Sequence, residues 1–106
     1  MTVVKKELRR HQRILVPEGH PLRCQGAEPK VEGIVTVIGL GGMFVRTRNS
    51  QPHGAILNLR IQNKFSVFDA QCTVRNVAEN GLGVEFTFLS PTDEQKLKGL
   101  LRQLRP

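Results

Sequence analysis

The strongest constraint on the fold is an alternation of apolar and polar residues with a period of two, which starts near residue 31. Successive side chains of a β-strand point to opposite faces, so this pattern gives each segment one buried and one solvated face. Turn-forming sequences separate the segments at 49–54, 62–64 and 79–81. Several short, half-buried strands of this kind predict an antiparallel barrel or sandwich. The apolar members of the three clearest segments are Leu57, Leu59 and Ile61, then Phe68, Ala70, Cys72 and Val74, then Val84, Phe86 and Phe88.

The periodicity changes at Ser90, where a helix is predicted to begin. Ser90 supplies a capping hydroxyl, Pro91 suits the first helical position, and Asp93 falls in the first turn. The helix has to bury its apolar stripe, and the predicted barrel is the available surface. That stripe, at the spacing i, i+3, i+4 and i+7, consists of Leu97, Leu100, Leu101 and Leu104.

Length and charge narrow the class of protein. The chain has 106 residues, which is enough for one domain. No apolar run approaches the roughly 20 residues of a membrane helix, and no signal-peptide stretch follows the N-terminal charges, so a cytoplasmic protein is expected. The net charge is +7, and six basic residues stand against two acidic ones in the first 23 positions. The positive electrostatic potential of such a chain attracts phosphate-bearing ligands, although a basic N-terminal arm is often only a solvated tail.

Several function classes are disfavoured by what the sequence lacks. The three histidines are scattered singly, and Cys24 and Cys72 share no metal-ligand spacing, so no metal site and no disulfide are predicted. Cys72 lies on the apolar side of its segment, where a free thiol packs as a small hydrophobe. No nucleophile elbow, phosphate-binding glycine loop or pair of catalytic acids is present. We therefore expect a protein that is not an enzyme and has no cofactor.

Three segments, taken in order, resemble the PilZ domain family. The first, 9–13, contains the spacing Arg-x-x-x-Arg; the second, 33–45, looks like a strand, a glycine turn and a returning strand; the third, 81–91, leads into the leucine-striped helix. The resemblance implies a mainly β fold, with a single six-stranded antiparallel β-barrel and a C-terminal α-helix. The expected single domain, 1–106, has a basic arm at 1–13, the barrel at 14–89 and the helix at 90–105.

The resemblance also implies that the domain binds cyclic di-GMP. In the family the arginine pair grips phosphates and guanine edges, which suits the planar, forked donors of the guanidinium group. Carried over, Arg9 and Arg13 form the grip, and Arg10 is an additional cation. Folding of the arm over the ligand is then the expected output, because ordering a segment changes the surface that a partner meets.

The family's Asp/Asn-x-Ser-x-x-Gly motif, which surrounds a guanine, is only partly present. Its three defined positions fall on Val37, Gly39 and Gly42, and only Gly42 matches. Loss of one charged and one neutral hydrogen bond is predicted to weaken the binding free energy of cyclic di-GMP by roughly 2–4 kcal/mol, which lowers the affinity about 30- to 1000-fold. Gly39, Gly41 and Gly42 offset part of this loss of affinity if their main-chain N–H groups approach the ligand closely.

The predicted ligand-binding set therefore has seven members and two additional candidates. Alternation with Val35 equally predicts that one member, Val37, is an ordinary barrel residue, and Gly41–Gly42 equally suits a tight hairpin turn. The two additional candidates, Arg46 and Arg48, are equally consistent with solvated charges at a sheet edge, which discourage aggregation. The seven are Arg9, Arg10, Arg13, Val37, Gly39, Gly41 and Gly42, and the additional candidates are Arg46 and Arg48.

Two other functions compete with cyclic di-GMP sensing. A degenerate PilZ adaptor would bind a protein partner in a motility, adhesion or exopolysaccharide pathway and no nucleotide; the altered motif favours it and the retained arginine pair opposes it. A basic barrel could also bind nucleic acid by stacking bases on exposed aromatic rings. The chain has no Trp or Tyr, and only Phe44 and Phe65 lie outside the strand patterns, so nucleic-acid binding is disfavoured.

Overall fold

The computed structural model describes residues 12–105, which form seven strands and one helix. The strands are β1 (Arg13–Leu15), β2 (Arg23–Ala27), β3 (Lys30–Gly39), β4 (Gly42–Thr47), β5 (Ile56–Gln62), β6 (Val67–Ala78) and β7 (Gly81–Phe88). The helix, α1, spans Pro91–Leu104.

Six of the strands close into an antiparallel barrel. Around the barrel the order is β3-β2-β5-β6-β7-β4, and pairing of β4 with β3 completes the ring. Closure removes the open sheet edges that would otherwise pair with other chains. The seventh strand, β1, lies outside the ring and pairs with the last residues of β3. The predicted six-stranded barrel with a C-terminal helix is confirmed, with β1 as an addition.

The core fills the inside of the barrel with the inward residues of the alternating segments. Leu57, Leu59 and Ile61 are buried, as are Phe68 and the remaining inward residues of β6. Cys24 and Cys72 are free thiols within this core. Burial raises the pKa of each thiol to about 12, because the charged thiolate is poorly solvated there.

The helix begins and packs as its sequence predicts. The Ser90 hydroxyl accepts a hydrogen bond from the Asp93 backbone N–H at 3.0 Å, and Pro91 occupies the first turn. The four predicted leucines, Leu97, Leu100, Leu101 and Leu104, are all buried and join the barrel core. Within residues 12–105, no helix combines the length and the apolar character needed to cross a membrane.

Irregularities in strand pairing overturn the predicted alternation at two residues. In β3 a bulge lies between Val35, which opposes Val45, and Val37, which opposes Phe44. Val35 is therefore in the core, whereas Val37 is half-buried outside the core cluster. Val37 is a residue of barrel strand β3, as the alternation predicted, but the bulge removes it from the face that Val35 occupies.

A second irregularity, between β6 and β7, changes the environment of Phe88. Phe88 opposes Gln71 and Phe86 opposes Cys72, so Thr87 is an extra residue on β7. Phe88 is 63% exposed, although the alternation predicted a buried side chain. An extra residue in a strand moves the following side chain to the other face, which accounts for the error.

Candidate functional site

The candidate site begins at β1, which brings the end of the basic arm onto the barrel. Arg13 pairs with Gly39, Ile14 with Ile38, and the Val16 N–H donates to the Thr36 carbonyl at 2.9 Å. Ile14 and Val16 pack against the core, so the residues between and before them have outward side chains. Arg13 is exposed on this outer face. Alternation within β1 thus fixes the side of the barrel on which this arginine is presented.

The close approach of β1 to β3 depends on a glycine at position 39. A Cβ at Gly39 would lie 2.5 Å from the Gln12 carbonyl oxygen and 3.5 Å from the Cα of Arg13. The 2.5 Å distance is well below van der Waals contact, and the clashing oxygen belongs to the backbone, which cannot move aside as a flexible side chain can. Gly39 therefore has a structural role, since it gives the arginine-bearing segment room to pair with β3.

The β3–β4 connection consists of Leu40 and Gly41 and forms the end of a hairpin beside β1. The Gly41 carbonyl accepts a hydrogen bond from the Phe86 N–H at 2.9 Å, which attaches the hairpin to β7. Gly42 lies so close to β7 that a Cβ there would clash with the Val84 carbonyl oxygen. The predicted hairpin turn at Gly41–Gly42 is thus held between β1 and β7.

A groove of about 1010 Å³ runs along this hairpin. We call it the hairpin groove. It is lined by Arg13, Val37, Gly39, Leu40, Gly41, Gly42, Met43, Phe44, Arg75, Asn76, Gly83, Val84, Glu85 and Phe86. Five of the seven predicted ligand-binding residues therefore line one concave surface. The remaining two, Arg9 and Arg10, lie outside the described residues.

One wall of the hairpin groove is apolar. Val37 and Phe44 oppose each other on this wall. Leu15 opposes Val37 on β1 and continues the apolar row beyond the residues that line the groove. Leu15 is 76% exposed, whereas Val37 and Phe44 are half-buried. The aliphatic Val37 has no hydrogen-bonding atom in its side chain, so the Asp/Asn position of the motif presents a hydrocarbon surface here.

The polar part of the groove comes from β6 and β7, and its residues are outside the predicted ligand-binding set. The Nε of Arg75 donates to Oε1 of Glu85 at 2.7 Å, and the two side chains are 53% and 51% exposed. Arg75 lies at a bulge, because Val74 opposes Val84 while Asn76 opposes Gly83. The alternation did indicate an outward Arg75, but its partner and its position in the groove depend on that bulge.

The additional candidates Arg46 and Arg48 do not line the hairpin groove. Arg46 is an exposed residue of β4 that opposes Ile34 and Gly81, and Arg48 is exposed just after the strand. Phe65, one of the two aromatic rings considered for base stacking, lies in the β5–β6 connection with the Lys64 ammonium 5.2 Å from its centroid. These three residues are therefore separate from the groove that contains Arg13.

Contacts of the arm also reach the C-terminal end of the chain. The Nη2 of Arg105 donates to Oε1 of Gln12 at 3.2 Å, which joins the residue before β1 to the residue after α1. Because Gln12 precedes Arg13, a movement of the arm would also alter this contact. The end of the helix and the rim of the hairpin groove are thus connected through one exposed hydrogen bond.

A second groove, of about 850 Å³, lies on the face formed by β2, β5, β6 and the start of α1. Its charged side chains include Arg60 and Asp69, which share a bidentate ion pair at 2.8 and 3.2 Å. The hydrogen bond from Arg60 lowers the pKa of the Asp69 carboxyl, so the pair remains ionised and mutually satisfied. None of the predicted ligand-binding residues lines this groove.

The family of the chain follows from comparison with known domains. The model of the PilZ domain family matches residues 7–103, which is nearly the whole sequence. The chain belongs to the PilZ domain family. No curated protein gives a significant match. The resemblance drawn from the arginine spacing, the glycine hairpin and the closing strand is thereby confirmed at the level of the family.

Several solved structures share this fold at low sequence identity. The PilZ domain of YcgR from Escherichia coli, solved with c-di-GMP, is 21% identical, with a TM-score of 0.76 over 91% of this chain and 90% of that one. The K. pneumonia MrkH–c-di-GMP complex is 20% identical, with a TM-score of 0.78 over 91% of this PilZ domain and 51% of MrkH. The Bacillus subtilis inhibitor of motility MotI/DgrA is 19% identical, with a TM-score of 0.67 over 90% and 50%.

Proposed function

We propose that this PilZ domain is a cytoplasmic, non-enzymatic signalling module that binds cyclic di-GMP in the hairpin groove. The basic arm grips the ligand, with Arg13 held on the barrel by β1 and with Arg9 and Arg10 earlier in the arm. Two proteins of the same fold, the PilZ domain of YcgR and MrkH, have been solved with c-di-GMP. The ligand class of this chain is inferred from membership of the family together with the groove.

The observation that carries the proposal is the pairing of Arg13 with Gly39. This register puts a guanidinium group beside the glycine hairpin and on the same groove as Gly41 and Gly42. A guanidinium can donate two parallel hydrogen bonds to a phosphate or to the O6 and N7 of guanine. The glycine hairpin offers a surface without side-chain bulk at Gly39, Gly41 and Gly42, to which a flat base or a sugar-phosphate can come close.

Isothermal titration calorimetry with cyclic di-GMP tests the proposal through Arg13→Ala. Loss of a charge-assisted hydrogen bond costs about 1.5–3 kcal/mol, so the affinity is expected to fall roughly 10- to 150-fold. The matched control is Arg48→Ala, which removes an exposed arginine that does not line the groove and should leave the affinity within about twofold. Equal losses in both variants would indicate only a general effect of charge, and an unchanged affinity in Arg13→Ala contradicts the proposed grip.

A degenerate adaptor is the second candidate function. Val37 replaces a hydrogen-bonding residue with hydrocarbon, and the neighbouring Leu15 and Leu40 are exposed, so the groove rim offers apolar contacts to a protein. Such an adaptor would act with a partner in a motility, adhesion or exopolysaccharide pathway. It predicts no change in the thermal unfolding midpoint at millimolar cyclic di-GMP, whereas a receptor is stabilised by its ligand.

A further inference from the structure

The hairpin groove lacks an acceptor where the family motif has one, yet it contains a carboxylate elsewhere. Val37 belongs to the apolar row with Leu15 and Phe44 and cannot accept a hydrogen bond from a base. Among the described residues that line the groove, Glu85 is the one that carries a carboxylate. The amide oxygen of Asn76 is a neutral acceptor in the same lining, so Glu85 is the one anionic acceptor that these residues offer to a base bound along the hairpin.

Glu85 is positioned next to the glycine hairpin by the pairing of β4 with β7. It directly opposes Gly42, which has no side chain to separate the carboxylate from a ligand on the hairpin. Arg13 is on β1 and Glu85 is on β7, with β3 and β4 between them. Three inter-strand spacings of about 4.8 Å separate the two backbones by roughly 14 Å. The side chains of Arg13 and Glu85 thus frame the hairpin from its two sides.

The carboxylate is oriented but still accessible. Oε1 of Glu85 accepts the hydrogen bond from the Arg75 Nε at 2.7 Å, and within residues 12–105 no second donor to this carboxylate is found. Half of the side chain is exposed, so a ligand can reach it without displacing core residues. The ion pair uses one acceptor site of Oε1, so the second site of Oε1 and both sites of Oε2 remain for an incoming pair of donors.

We infer that Glu85 recognises the guanine base by accepting hydrogen bonds from its N1–H and its 2-amino group. This inference rests on the proposed function, and it adds the residue that selects the base. Guanine presents two adjacent donors on its Watson–Crick edge, and an ionised carboxylate accepts two such bonds. Adenine has an acceptor at N1 and no 2-amino group, so Glu85 selects guanine over adenine. Glu85 then does in this chain what Val37 cannot.

Calorimetry with two ligands tests this role: cyclic di-GMP, and cyclic di-IMP, whose hypoxanthine bases lack only the 2-amino group. The wild-type domain should bind cyclic di-GMP about tenfold or more tightly than cyclic di-IMP, because a hydrogen bond to a charged acceptor is lost. In Glu85→Gln the ratio of the two affinities should fall to about twofold or less. A merely structural role of Glu85 would weaken both ligands equally and leave this ratio unchanged.

The matched control is Glu79→Gln, which neutralises an exposed carboxylate that does not line the groove. It should retain the wild-type preference for cyclic di-GMP over cyclic di-IMP. The inference is overturned if wild type does not distinguish the two ligands, if Glu85→Gln keeps the preference, or if Glu79→Gln loses it as Glu85→Gln does. Failure of the proposed function looks different, since the wild-type domain would then bind neither ligand at millimolar concentration; that result overturns both.

Discussion

Replacing Gly39 with serine, the residue of the family motif at this position, is expected to weaken cyclic di-GMP binding instead of restoring it. A Cβ at position 39 would lie 2.5 Å from the Gln12 carbonyl oxygen, so β1 could no longer pair with β3 in its present register. Arg13 would leave the groove together with β1. The loss should therefore be at least that of Arg13→Ala, about 10- to 150-fold measured by calorimetry.

Two further glycine variants make this test specific. Gly39→Ala adds the same Cβ without a hydroxyl and should weaken binding as much as Gly39→Ser. Gly19→Ser introduces serine where the structure has no atom within 4 Å of the new Cβ, and it should leave the affinity unchanged. Because β1 lies outside the closed ring of six strands, the Gly39 variants should still unfold cooperatively. Tighter binding in Gly39→Ser than in wild type would contradict the steric account of this position.

Truncation of Phe68 is expected to have the largest effect on stability. Phe68 is 2% exposed and its ring meets Phe86 edge-to-face, with 6.4 Å between centroids and 78° between planes. Phe68→Ala should lower the free energy of unfolding by about 3–5 kcal/mol, because it removes buried apolar surface and leaves a cavity. Such a loss is a large part of the roughly 5–15 kcal/mol that holds a domain of this kind folded.

Urea denaturation followed by circular dichroism measures this loss, and Phe88→Ala is the matched control. Phe88 is on the same strand as Phe86 but is 63% exposed, so its truncation should change the free energy of unfolding by less than about 0.5 kcal/mol. Phe86 also lines the hairpin groove, so Phe68→Ala removes support from beneath that surface. Similar losses for the two truncations would mean that the barrel core is not organised around Phe68.

The architecture was predictable from the sequence because its signals are local. Alternation in β5 and in β6 up to Val74, and the capped leucine stripe of α1, each determine one element without reference to the rest of the chain. The extra strand β1 was not predicted, since Arg13–Leu15 is too short to carry a period and forms only by pairing with β3. The glycine hairpin was recognised as a turn, but the steric need for Gly39 depends on which segment lies beside it.

The groove chemistry was only partly predictable, because it depends on bulges. The sequence predicts Val37 equally as an ordinary barrel residue and as a ligand-binding residue, and the bulge after Val35 decides which face it occupies. Arg75 and Glu85 are ten positions apart, and their ion pair follows from the register of β6 on β7 and from the irregularity at Arg75. Registers and bulges are set by many residues together, so no local pattern in the sequence reveals them.

The most direct test of the account is a ¹⁵N–¹H correlation spectrum of the wild-type domain titrated with cyclic di-GMP to millimolar concentration. The glycine amides serve as reporters, because Gly39, Gly41, Gly42 and Gly83 line the hairpin groove whereas Gly19, Gly54 and Gly99 do not. We expect the four groove amides and that of Arg13 to shift and the other three to stay in place. An unchanged spectrum, or shifts confined to residues away from the hairpin, would contradict the claim that this groove is the cyclic di-GMP site.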